Sequence, residues 1–249
     1  MAVEKATKDD LAEILGWLEL ESTANDGEGF WCNRGVISNS FAEGSLWVIR
    51  RAGRAVAFQV GDYEADIACV RQDAQRQGLG TELFEASLVR AVSAGVNVLS
   101  GECAPRSSFP FWQKHGFERF GDLSEFGRIL VRRIISYRHD IPEGLPTVDV
   151  KIEFHPEDVL HKGGSAADVF VHRPQARRSP DGSILLERRI LGLASDMPRG
   201  KDMVVKVTVD GEQLCFCKAK YNEARDVGVE RDQDGNFYID VIHPARPEE

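Results

Sequence analysis

The stretch Ala68-Cys69-Val70-Arg71-Gln72-Asp73-Ala74-Gln75-Arg76-Gln77-Gly78-Leu79-Gly80-Thr81 decides how the chain is read. Its first residues close an apolar run over 65–70. From Leu79 to Ala94 apolar residues recur at helical spacing, so the segment reads as strand, turn, helix. The turn delivers residues 75–80 to the first turn of a helix, where backbone N–H groups lack intrahelical acceptors and the helix dipole is positive. Gly78 and Gly80 allow backbone angles and a close approach that a side chain would block. This arrangement predicts an anion site with room for a pyrophosphate.

Working outward, residues 6–21 carry Leu11, Ile14, Leu15 and Leu18 at spacings of three and four, with Thr7 as the cap and Asp10 three residues on, the pattern of an amphipathic helix. Residues 22–29 read as a loop and 30–41 as a second helix broken at Gly35. Apolar runs at 46–50 and 55–60 have the spacing of a hairpin. Downstream, residues 97–99 read as a strand, 107–114 as a short helix and 128–135 as a late strand. Strands alternating with helices predict an α/β domain with crossovers in a mixed central sheet.

The composition changes after Tyr137. Residues 139–146 hold two prolines and a glycine, and all four tryptophans precede them. This predicts a first domain at 1–138, a linker at 139–146 and a β-rich second domain at 147–249. The second domain reads as strands at 147–154, 168–172, 183–190, 203–209, 213–218, 226–230 and 237–242, punctuated by turn signals such as Asp210-Gly211. That rhythm suits an all-β sandwich or barrel.

With 249 residues, 42% hydrophobic and 29% charged, the chain has the composition of an ordinary globular protein. Forty acidic against 31 basic residues give a formal charge of −9, which repels phosphate backbones and anionic lipid and counts against nucleic-acid partners. The sequence has neither the apolar span of a membrane helix nor the apolar core of a signal peptide, so a cytoplasmic location with no membrane partner is expected. Cys32, Cys69, Cys103, Cys215 and Cys217 form no disulfide framework and read as reduced thiols, with Cys215 and Cys217 on one face of a strand. His155, His161 and His172, with Asp158 and Asp168, fit no metal-ligand spacing, and no metal is expected. Arg173, Arg177, Arg178, Arg188 and Arg189 form a basic cluster that reads as a solvated hairpin, with an RNA contact as the rival reading.

A second segment, Phe111-Trp112-Gln113-Lys114-His115-Gly116-Phe117, completes the pattern. Together the two segments resemble the GNAT superfamily of acyl-coenzyme A dependent N-acyltransferases. Gln75-x-x-Gly78-x-Gly80 matches that family's (Q/R)-x-x-G-x-(G/A) phosphate loop, and 111–117 matches its F-Y-x-K-x-G-F segment except at Trp112. The resemblance covers about residues 3–137.

It implies a GNAT-like mixed sheet whose two central strands splay apart, with acetyl-CoA as co-substrate and a small-molecule or protein amine as acceptor. Gln75, Arg76, Gln77, Gly78, Leu79, Gly80 and Thr81 become the pyrophosphate cradle, and Cys69 and Val70 the backbone partners of the pantetheine. An acyl thioester is already activated, so the enzyme's task is to align an amine and polarise the carbonyl. The attacking amine must lose a proton. Glu64, eleven residues before Gln75, is the candidate base, with Asp62 and Asp66 as rivals. Asn25, Asp26, Glu28, Trp31 and Asn33 fall where the superfamily varies its acceptor site.

Trp112 replaces the tyrosine that many relatives use to protonate the leaving thiolate, and Pro105 and Ser108 replace a frequent asparagine and alanine. Cys103, Ser108 and His115 are the alternative proton donors. The same substitutions suit a non-catalytic coenzyme-binding or scaffolding protein. The second domain resembles no known family; a role in acceptor choice or in assembly, including a homodimer, is open to it.

Overall fold

The computed structural model describes residues 2–63, 67–124, 127–161 and 170–243. The chain divides into two compact units, Met1–Ile135 and Ser136–Glu249.

In the first unit, β1 (Glu4–Lys5) leads into α1 (Lys8–Ala24). The helix starts where the sequence predicts, because Thr7 and Asp10 form a capping box: the Asp10 N–H donates to Thr7 Oγ1 at 3.3 Å and the Thr7 N–H to Asp10 Oδ2 at 2.6 Å. It runs to Ala24, so the loop expected from residue 22 begins later. A turn of 3-10 helix at Phe30–Asn33 precedes α2 (Arg34–Ala42). The break falls there, and Gly35 lies inside α2.

β2 (Leu46–Arg51) and β3 (Arg54–Val60) form the expected hairpin, joined by Ala52 and Gly53 at φ 49° and 77°, the left-handed pair that matches strand twist. β4 (Ile67–Val70) pairs with β3, α3 spans Leu79–Ser93, and β5 (Val98–Cys103), α4 (Phe109–Lys114), β6 (Glu118–Arg119) and β7 (Ile129–Ile134) follow.

The strands do not make the single mixed sheet that the sequence predicts. They form two antiparallel sheets, β1-β2-β3-β4 and β5-β7-β6, and among the described residues no ladder joins β4 to β5. Apolar periodicity marks the strands but carries no information on which edges are left open. Apolar residues on one face of the larger sheet, including Val48, Phe58 and Val60, pack with Ile14, Trp17 and Leu18 of α1 and Ile37 of α2. Ile49, Val56 and Ala57 on the other face pack with Leu79 and Leu83 of α3. A buried polar chain ties α3 to the sheet: Gln59 Nε2 donates to Ser87 Oγ at 3.1 Å, and that hydroxyl donates to the Tyr63 carbonyl at 2.8 Å.

The second unit contains β8 (Val150–Pro156), β9 (Phe170–His172), β10 (Ala176–Arg178), β11 (Ile184–Gly192), β12 (Met203–Val209), β13 (Glu212–Lys218), α5 (Asn222–Asp226), β14 (Glu230–Arg231) and β15 (Phe237–Ile242). They assemble as two four-stranded antiparallel sheets, β10-β11-β15-β14 and β13-β12-β8-β9, that share one core. The strand expected at 226–230 is instead the end of α5 followed by a short β14. Buried Val227 and Val229 mimic strand alternation, but Gly228 at φ 97° breaks it, and a Cβ there would lie 2.1 Å from the Val241 carbonyl oxygen. The sequence reading missed β10, in which a single buried Ala176 is followed by two arginines. Thr147 makes only an isolated bridge to Arg177, so the regular strand expected from 147 begins at Val150.

Three of the cluster's five arginines are held by neighbouring groups: Arg177 Nη1 donates to the Leu145 carbonyl at 3.0 Å, Arg178 pairs with Asp210 at 3.0 Å, and Arg189 pairs with Asp240 at 2.6 Å between the Tyr137 and Tyr238 rings. Cys215 and Cys217 share a face as expected, with their sulfurs 3.4 Å apart, and burial pushes the Cys215 thiol up to about 12.

Arg50 on β2 grips Asp10 through Nε at 2.8 Å and Nη2 at 2.5 Å, joining the α1 cap to the sheet. These bonds hold the Asp10 carboxyl at about 2 against the opposing cost of burial, below its ordinary 3.8. The ionised form therefore stabilises the fold above 3.8, and that contribution of about 2 kcal/mol is lost as pH falls towards 2. Asp10→Asn is expected to cost about 2 kcal/mol at pH 7. Urea unfolding followed by tryptophan fluorescence measures it, since every tryptophan lies in this unit.

Candidate functional site

The loop between β4 and α3 is built by local bonds. Arg71 pairs with Asp73 at 2.6 Å across a 3-10 turn at Gln72–Ala74, and Glu21 of α1 accepts the Gln72 N–H at 2.8 Å. Gln75 turns its side chain back, donating from Nε2 to the Val70 carbonyl at 3.1 Å, which ties the loop to the end of β4. The backbone then enters the left-handed region twice, at Arg76 (φ 61°) and Gly78 (φ 83°), before α3 begins at Leu79. The first bond from the helix into its cap runs from the Glu82 N–H to the Gly78 carbonyl at 3.1 Å. The N–H groups of Leu79, Gly80 and Thr81 thus precede the helical ladder and remain donors for a ligand.

These groups open onto a cleft of about 480 Å³ running between the unladdered edges of β4 and β5. Of the residues expected to cradle a pyrophosphate and pantetheine, Cys69, Val70, Gln75, Arg76, Gly78, Leu79, Gly80 and Thr81 line it; Gln77 does not. Gly80 is an ordinary helical residue, and its role is space: a Cβ there would touch the Phe111 ring at 3.4 Å. Burial pushes the Cys69 thiol up to about 12, so it is a neutral wall and no nucleophile.

Trp112 stands on the cleft wall in an aromatic cluster, 5.2 Å from Phe111, 5.1 Å from Phe117 and 6.2 Å from Phe84 between ring centroids. Of the alternative proton donors, Ser108 also lines this cleft, and its buried hydroxyl has no hydrogen-bond partner. Cys103 is buried, which raises its thiol, and borders a neighbouring cavity. His115 packs against Phe84 and Phe111 and turns Nε2 to Thr81 Oγ1 at 3.2 Å, with burial lowering its pKa.

Glu64 and Asp66 lie outside the described residues. Asp62 is taken up by Trp47, whose Nε1 donates to Oδ1 at 3.1 Å. A carboxylate the sequence reading missed, Glu102 on β5, lines the cleft and an adjoining cavity of about 420 Å³, where it pairs with Arg128 at 3.1 Å. Its only signal in the sequence is a charged residue on a short strand otherwise free of charge. A further cavity of about 800 Å³ is bordered by Asn25, Glu28 and Asn33, three of the five acceptor-contact candidates. Asp26 is exposed away from it, and Trp31 packs against the core around α1 with the Arg34 guanidinium 5.1 Å from its ring centroid.

Among the described residues no group of three or more His, Cys, Asp or Glu is placed to hold a metal, and no helix is long and apolar enough to cross a membrane.

Residues 42–119, within the first unit, match the family model of the acetyltransferase (GNAT) domain. Similar solved structures include a ribosomal-protein-alanine N-acetyltransferase from Brucella melitensis at 19% identity and TM-score 0.41, covering 54% of this chain and 100% of that one. The PaiA N-acetyltransferase from Thermoplasma acidophilum, in complex with coenzyme A, is 13% identical at TM-score 0.41 and covers 54% of this chain and 100% of its own. A GNAT family acetyltransferase from Elizabethkingia anophelis with acetyl-CoA bound is 16% identical at TM-score 0.36, with 41% and 83% covered. No curated protein matches the chain.

Gln75→Ala removes the tie between loop and strand. Hydrogen exchange is expected to quicken about fivefold at the amides of 76–81, the equivalent of about 1 kcal/mol. The β2–β3 hairpin is expected to be unchanged.

Proposed function

We propose that the first unit transfers an acetyl group from acetyl-CoA to a primary amine by direct attack in a ternary complex. The observation that carries this reading is the juxtaposition of donor amides at the start of α3 with a cleft open between β4 and β5. Pyrophosphate suits the amides of the loop and Arg76, and a pantetheine arm suits the unpaired edge of β4. A backbone N–H on that edge would polarise the thioester carbonyl.

The amine nitrogen attacks the thioester carbon, its proton passes to a carboxylate, and the C–S bond breaks to release the thiolate. Glu64 is the base proposed from the sequence, and Glu102 is the rival that the cleft supplies. Ser108 is the polar group at hand to hydrogen-bond the departing thiolate in place of Trp112, whose indole has no acidic proton. We read the second unit as a β sandwich that influences acceptor choice or assembly. The second reading, a coenzyme-binding protein without turnover, draws its support from Trp112 and Pro105, which stand where residues often used in turnover are expected.

Calorimetric titration with acetyl-CoA and with free CoA is the first test, with one site per chain expected. Gly78→Asp is expected to weaken binding by about a hundredfold or more, because it puts a side chain and a negative charge against the pyrophosphate site. Retained affinity in a folded variant would refute the loop assignment. Binding of acetyl-CoA without transfer to any amine of a broad panel would favour the second reading.

A base works only when deprotonated, so the rate falls as pH drops through its pKa. Whichever of Glu64→Gln and Glu102→Gln loses that acidic limb identifies the base.

A further inference from the structure

Thr81 supplies the one hydroxyl of the loop 75–81, at the third residue of α3, and it lines the cleft. A threonine in a helix commonly turns its hydroxyl back to a carbonyl of the preceding turn. Here Oγ1 meets His115 Nε2 at 3.2 Å instead, its one hydrogen-bond partner among the described residues. His115 follows the last residue of α4. Its ring packs against Phe84 of α3 and Phe111 of α4, with centroids 4.8 and 4.6 Å away, and Arg133 of β7 donates to its carbonyl at 2.5 Å.

A bond between a hydroxyl and an imidazole runs in either of two directions. If Thr81 donates to Nε2, its hydrogen is spent on the ring and the hydroxyl has only lone pairs to offer the cleft. If Nε2–H donates to Thr81, the hydroxyl hydrogen is released for an acceptor in the cleft. A phosphate oxygen at the first turn of α3 accepts hydrogen bonds and does not donate, so it selects the second direction. Imidazolium permits that direction alone, while neutral imidazole permits both according to its tautomer.

We propose that His115 is a positioning residue: by donating to Thr81 it commits that hydroxyl to the coenzyme's pyrophosphate, beside the Thr81 N–H. This rests on the reading of the loop as the pyrophosphate site.

Among the described residues the charged groups that act on the ring are Glu85 of α3, Lys114 of α4 and Arg133 of β7. Burial, Lys114 and Arg133 hold its pKa below the ordinary 6.5 against the opposing pull of Glu85. The free protein therefore keeps His115 mostly neutral at pH 7. A bound anion favours the imidazolium, so affinity rises as pH falls through that pKa.

The probe is 3′-dephospho-CoA, which keeps the pyrophosphate but lacks the 3′-phosphate, a group that itself titrates near neutrality. Its calorimetric affinity is expected to be about fivefold higher at about pH 5.5 than at about pH 8. Thr81→Val is expected to weaken binding about tenfold at the lower pH, the loss of one hydrogen bond to a charged acceptor, and to flatten the pH dependence. His115→Gln keeps an N–H donor that does not titrate, and is expected to hold the affinity of the lower pH throughout. His115→Leu is expected to weaken binding in the unaltered protein and to change nothing further in the Thr81→Val variant, a coupling that a packing defect would not produce.

Additive losses in the double variant, or a pH dependence that survives Thr81→Val, would overturn the inference while leaving the loop assignment intact. Failure of the unaltered protein to bind 3′-dephospho-CoA or acetyl-CoA at either pH would remove both.

Discussion

The structure of the first unit turns on one constraint: β4 and β5 border one cleft without sharing a ladder. A closed sheet would satisfy their edges with each other and leave no channel. Here the larger sheet ends at β4 and the smaller begins at β5, so the edges face a cleft of about 480 Å³. Backbone N–H and C=O groups left open in this way must be answered by water or by a ligand. An extended, amide-bearing ligand answers them as a further strand would.

The rest of the unit holds that opening in place. β3 is buried on both faces, by α1 and α2 on one side and α3 on the other, which stiffens the sheet up to its last strand. The buried Gln59–Ser87 bond, continued to the Tyr63 carbonyl, fixes α3 against that sheet, and the Arg50–Asp10 pair fixes α1. The first turn of α3 is therefore positioned by core packing at its back and aimed by the left-handed residues Arg76 and Gly78 at its front. A loop fixed at both ends presents its amides with little ordering cost when a ligand arrives.

Trp112 shows how an aromatic cluster replaces a titratable group. Packed among Phe84, Phe111 and Phe117, the indole forms part of the cleft wall, which Ser108 also lines. Burial raises the Cys69 and Cys103 thiols nearby, which favours their neutral form.

Local signals of the fold were legible in the sequence because each rests on bonds between near neighbours. Thr7 and Asp10 announced the start of α1, the hairpin of β2 and β3 followed from its spacing, and Gln75, Gly78 and Gly80 announced the loop. The second unit's turns were equally plain, apart from β10 and the segment around Gly228, where the apolar pattern was too sparse or broken by backbone geometry. What the sequence by itself determined was therefore the order of elements and the anion loop. Only the tertiary structure decided that the strands form two wholly antiparallel sheets, that Gly80 spares room for Phe111, and that Glu102 meets Arg128 beside Phe30. Those facts depend on which surfaces residues distant along the chain leave uncovered, and side-chain periodicity within a strand or helix does not encode that.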